Sequence, residues 1–91
     1  MKIKIFNGFG EYQSDMDFDF FKKTYGFEFA GREEYHIYMT ILGLVRTQKK
    51  RNMSPIKIRE GLKKIFDTTA WETYMYEDRF QYFVDKAFKE A

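Results

Sequence analysis

Ninety-one residues, 33% of them charged yet summing to only +2, with 21% aromatics and no cysteine, set the first bounds on this chain. The length suits one domain, and the missing cysteine excludes a disulfide framework, so packing alone must hold the fold. Eleven Phe, seven Tyr and one Trp, each able to bury about 150–250 Å², argue against disorder. A single domain over residues 1–91 with an aromatic-rich core is the expectation.

The opening Met1–Phe6 alternates charge with bulk and lacks the apolar region of a signal peptide. The longest uncharged stretch, Tyr35 to Val45, has eleven residues against the roughly 20 apolar residues a membrane span requires. A cytoplasmic location with no membrane partner is therefore expected.

Lys2 to Phe6 alternates at period two, and Asn7-Gly8-Phe9-Gly10 supplies residues that tolerate positive φ, which predicts a strand and a turn. Residues 15 to 25 then carry a full set of helix signals: Ser14 as cap, Asp15, Asp17 and Asp19 early, Lys22 and Lys23 late, Gly26 just beyond. A rival reading pairs the alternating Met16, Phe18 and Phe20 register, and its aspartates Asp17 and Asp19, against Lys2 and Lys4 as two strands; the charge order favours the helix. Gly26 to Phe29 alternates briefly and predicts another short strand.

Arg32 to Lys50 forms the longest predicted helix, with Tyr35, Tyr38, Met39, Leu42 and Val45 at helical spacing and Ile41 and Leu44 widening the apolar surface. Ser54-Pro55 is a cap followed by proline at the first helical position. Ile58, Leu62, Ile65 and Phe66 line the helix that follows, which ends near Asp67. Thr69-x-x-Glu72 reads as a capping box opening a last helix, in which Phe80, Phe83, Val84, Ala87 and Phe88 repeat on one face. The expected fold class is thus α+β, mainly α: about four helices around one aromatic core with a short N-terminal β element.

The inventory for catalysis is thin. There is one histidine, His36, set in an apolar helix where a core or boundary role outweighs that of a general base. The only serines, Ser14 and Ser54, read as caps, so no enzyme is expected. Zinc lacks its usual ligands. Asp15-x-Asp17-x-Asp19 opens like a calcium loop, yet Phe20 stands where glycine belongs and Gly26 where the bidentate acid belongs. Gly8-x-Gly10 ahead of a helix is too short a signal for a phosphate cradle. No metal and no cofactor are expected.

Charge is where a function could sit. Residues 46 to 64 hold eight bases and one acid, half of all the Lys and Arg in the chain. Arg46, Lys49, Lys50, Arg51, Lys57, Arg59, Lys63 and Lys64 surround one predicted turn between helices. Part of this is ordinary dipole compensation at a helix end; the rest is an electrostatic footprint for an acidic or phosphate-bearing partner. Tyr74 and Tyr82 fall off the apolar stripe of the last helix and are candidate interface anchors. Gly61, inside a helix, implies a close backbone approach, most simply by a neighbouring helix.

From these features we expect a small non-enzymatic accessory or regulatory protein that binds a protein or a protein–nucleic-acid complex stoichiometrically. The Lys, Ile, Phe and Tyr richness fits an AT-rich genome and a bacterial or phage setting. The alternative is a helix-turn-helix-like DNA-binding regulator that contacts DNA directly through residues 46–64.

Overall fold

A computed structural model describes residues 1–91. Two antiparallel strands, β1 (Lys2–Phe6) and β2 (Tyr12–Asp17), precede five helices: α1 (Phe18–Tyr25), α2 (Arg32–Lys50), α3 (Pro55–Thr68), the single turn α4 (Trp71–Tyr74) and α5 (Glu77–Glu90). The mainly helical α+β class expected from the sequence is what forms.

The strand pairing sets Lys2 opposite Asp17 and Lys4 opposite Asp15, with an irregularity after Ile5 that brings Tyr12 to Phe6. Opposite charges therefore face each other across the ribbon, a favourable cross-strand arrangement. Each of the two readings of residues 15–25 was half right. The aspartates belong to β2 as far as Asp17, and the helix begins only at Phe18. Asp17 caps it, accepting a hydrogen bond from the Phe20 N–H at 3.2 Å, and Ser14 sits in the strand opposite Ile5. The strand wins the first half because β1 offers a row of paired backbone groups and two lysines, which local helix signals cannot weigh. Gly26 closes α1 in the left-handed region, φ 74°, its N–H bonding the Lys22 carbonyl, as the glycine after a helix is expected to do.

The short strand expected at Gly26–Phe29 does not form. Those residues make an irregular connection with no strand beside them to pair with, and Phe29 instead packs on Tyr35, Tyr38 and Phe83.

α2 and α3 form where periodicity placed them. Between them Asn52 adopts φ 60°, the Met53 N–H reaches the Gln48 carbonyl and the Asn52 N–H that of Lys49, both at 3.0 Å. This double closure satisfies the end of α2. Ser54 then caps α3, accepting from the Lys57 N–H, with Pro55 at the first position. The capping box expected at Thr69–Glu72 is not one. The Thr69 hydroxyl donates back to the Ile65 carbonyl at 2.7 Å, ending α3, and α5 starts only after Tyr76 with no side-chain cap.

α2, α3 and α5 enclose the main core: Ile41, Val45, Ile58, Leu62, Phe80, Phe83, Val84 and Ala87 are all but solvent-free, and Phe66 stacks on Phe80 with centroids 4.5 Å apart. A second, smaller cluster of Ile3, Phe18 and Phe21 lies under the ribbon and α1. No helix is long and apolar enough to cross a membrane.

Candidate functional site

The turn between α2 and α3 gathers the basic residues, and tertiary packing sorts them into two sets. Arg59 pairs with Asp85 of α5 at 2.9 Å and lies over the Phe88 ring. Lys63 donates to Asp67 and to Glu77, both at 2.7 Å; these contacts, Asp67 first, hold its ammonium charged to higher pH than an ordinary lysine. Lys49 also lies over Phe88, 5.7 Å from its centroid. These three bases fasten α5 to the α2–α3 hairpin.

The other five point to solvent. Arg46, Lys50, Arg51, Lys57 and Lys64 are exposed and form no ion pair within the chain. Lys57, Gly61 and Lys64 recur at i, i+4 and i+7 and so share one face of α3. Two apolar side chains sit at the same end of the hairpin: Ile56 is 71% exposed and Met53 38%. Ile56 is a residue that sequence reasoning missed: it lies off the stripe of Ile58, Leu62, Ile65 and Phe66, and the charge pattern that singled out its neighbours does not register an isoleucine. Gly61 has nothing within 4 Å of where a Cβ would stand, so no helix of this chain presses on it, contrary to the expected close packing.

Tyr74 and Tyr82 lie elsewhere. Tyr74 is half-buried against Phe6, centroids 5.4 Å apart, and Tyr82 spans Phe18 and Phe83. Both stand at the seam between the N-terminal ribbon with α1 and the helical core, and the structure does not bring them to the basic tip. His36, expected in the core or at its boundary, is exposed on α2, since its step of the helix faces away from α3 and α5. Aromatic exposure concentrates instead in the N-terminal third, at Phe9, Phe20, Tyr25 and Phe27.

No family model, curated protein or solved structure matches the chain. A functional reading must come from its own residues.

Two other arrangements have local explanations. The Asn7–Gly10 turn is closed by Asn7, whose side-chain oxygen accepts from the Phe9 and Glu11 N–H groups at 2.9 and 3.0 Å while its carbonyl accepts from Gly10. Those N–H groups are therefore engaged within the turn and do not form a phosphate cradle. The aspartates are engaged as well: Asp15 accepts from Tyr76 at 2.7 Å and Tyr12 at 2.8 Å, and Asp17 from the N-terminal ammonium and Phe20.

Proposed function

We propose that this protein is a small non-enzymatic accessory or regulatory protein that binds a protein, or a protein–nucleic-acid assembly, through the α2–α3 tip. The observation that carries this reading is the combination of unpaired bases Lys50, Arg51, Lys57 and Lys64 with the exposed Ile56 and Met53. A phosphate backbone asks only for cations. A protein surface with an apolar socket and an acidic rim asks for both, and burying an aliphatic anchor inside a charged ring is how such interfaces gain affinity and register.

The helix-turn-helix alternative rests on Lys57 and Lys64, two helical turns apart on an accessible face of α3. Glu60 stands on the exposed side of the same helix and opposes phosphate, while Arg59 and Lys63 are held by α5.

Affinity capture from the native host, with nuclease treatment, tests the reading when run beside Ile56→Asp and Lys57→Glu. The expected result is one nuclease-resistant protein partner retained by the wild type and lost by both variants, whose circular dichroism is unchanged. Tight, sequence-selective binding of the isolated protein to duplex DNA, with a salt slope flattened by Lys50→Ala and Arg51→Ala, would replace this reading with the alternative.

A further inference from the structure

The ribbon with α1 and the bundle of α2 to α5 are each closed on themselves. The first surrounds its own cluster of Ile3, Phe18 and Phe21, the second the larger cluster, and no backbone hydrogen bond joins residues 1–27 to residues 28–91. Side chains alone hold the seam. Tyr76 donates to Asp15 at 2.7 Å, the Lys4 ammonium reaches the Thr73 carbonyl at 3.3 Å, and Phe6 lies on Tyr74 and Phe18 on Tyr82. Between these contacts the packing is incomplete. A cleft of about 230 Å³ separates Lys4, Phe6 and Asn7 of the ribbon from Gly31 and Arg32 at the start of α2. A second gap lies between Lys2 and Asp15 on one side and Tyr76 and Asp78 on the other. Beneath α1 the Phe18 ring covers the Arg79 guanidinium at 4.1 Å, whose Nη1 is buried without a hydrogen-bond partner. A donor left unpaired in the interior disfavours the closed form relative to one in which water can reach it.

We propose that the ribbon and α1 form a cover that opens as one unit while α2, α3 and α5 stay folded, parting at Gly26 and Phe27 and uncovering the Arg79–Glu34 pair. The parting point follows from what fastens the chain. The Glu28 carbonyl accepts from Arg79 and Phe29 packs on Phe83, so the core holds the connection from Glu28 onward. Just before it, Gly26 has open space around it and Phe27 is exposed. Both members of the ion pair belong to the core, so the pair survives opening and gains water at Nη1. Opening also bares one side of Ile3, Phe18 and Phe21, which are buried when the cover is closed, and the open form is therefore the minor one. Once detached, the cover is a two-stranded ribbon and an eight-residue helix, each marginal in water by itself. Its backbone bonds are lost with the seam, and the unit behaves cooperatively. The open form presents a guanidinium set against Tyr82 and Phe83 that the closed form hides, without altering the α2–α3 tip.

Native-state hydrogen exchange of the full chain, followed amide by amide in low urea, tests this. The slow amides of β1, β2 and α1 should share one opening free energy, lower than the one shared by α2, α3 and α5. Two variants separate opening of the cover from unfolding of the whole. Tyr76→Phe removes only the hydroxyl bonded to Asp15 across the seam and should speed exchange in the ribbon and α1 roughly three- to tenfold, leaving α2, α3 and α5 as they were. Gly61→Ala, in α3 and outside the seam, should slow the core amides by up to about fivefold and leave the ribbon and α1 unchanged. A single opening free energy for ribbon and core, ribbon amides that follow the core in Gly61→Ala, or ribbon amides indifferent to Tyr76→Phe would overturn the proposal.

Discussion

Arg79 of α5 and Glu34 of α2 meet in the interior, the guanidinium donating to both carboxylate oxygens at 2.9 and 3.1 Å with both side chains out of solvent. The same guanidinium donates to the Glu28 carbonyl at 2.8 Å and lies 4.1 Å from the centroid of Phe18 and 4.5 Å from that of Phe83. One residue thereby ties α5, α2, the connection before α2 and α1 together, and the flanking rings supply the cation–π contact that its remaining Nη1 lacks as a hydrogen bond. Breaking one side strands a buried charge, so Arg79→Met or Glu34→Leu should each cost about 3–5 kcal/mol in urea unfolding, and Glu34→Leu with Arg79→Met together should cost less than either. Additive losses in that cycle would show the pair is not coupled.

Two glycines should respond with opposite signs. Gly26→Ala forces a side chain into φ 74° and should destabilise by about 1 kcal/mol. Gly61 is helical with open space around it, so Gly61→Ala should stabilise by up to about 1 kcal/mol. Thermal melts of the two variants side by side check the contrast.

Acid and base should act on the ribbon. Hydrogen bonds from Tyr76 and then Tyr12 hold the Asp15 carboxyl below the ordinary aspartate range, and the Phe20 N–H does the same for Asp17. Carboxyls depressed in the folded state stabilise it above their unfolded value of about 3.9. That contribution is lost as pH falls through the lower folded value. Tyr76 moves the other way: its bond to Asp15 raises the phenol to about 12. It therefore stabilises below the ordinary value of about 10 and ceases to as pH climbs through 12. Asp15→Asn should reduce both dependences, read from urea midpoints across the pH range; an unchanged profile would remove Asp15 from the account.

Tyr74 and Tyr82 join the N-terminal ribbon and α1 to the core, so truncating either should lower stability by about 1–2 kcal/mol through lost ring packing. Tyr74→Phe and Tyr82→Phe keep the rings and should fold normally. If Tyr82→Ala melts like the wild type, its contacts with Phe18 and Phe83 contribute nothing.

Periodicity and capping chemistry made α2 and α3 legible because both helices carry their signals within a few residues: Ser54-Pro55 at the start of α3, Lys49 and Lys50 in the last turn of α2, apolar side chains at i, i+3 and i+4. The basic tip was legible as composition. Its division was not, since Arg59 and Lys63 look like Lys57 and Lys64 until Asp85 and Glu77 arrive from a helix that begins thirteen residues after Lys64. The same limit explains the rest. Asp15 and Asp17 satisfy helix rules locally, and only a strand at the far side of a turn draws them into a ribbon. Arg79 reads as one more surface cation until Glu34, 45 residues away, takes it inside. Short-range signals depend on backbone geometry shared by neighbours in the chain, whereas charge partners and exposed faces depend on which distant segments come to lie beside them.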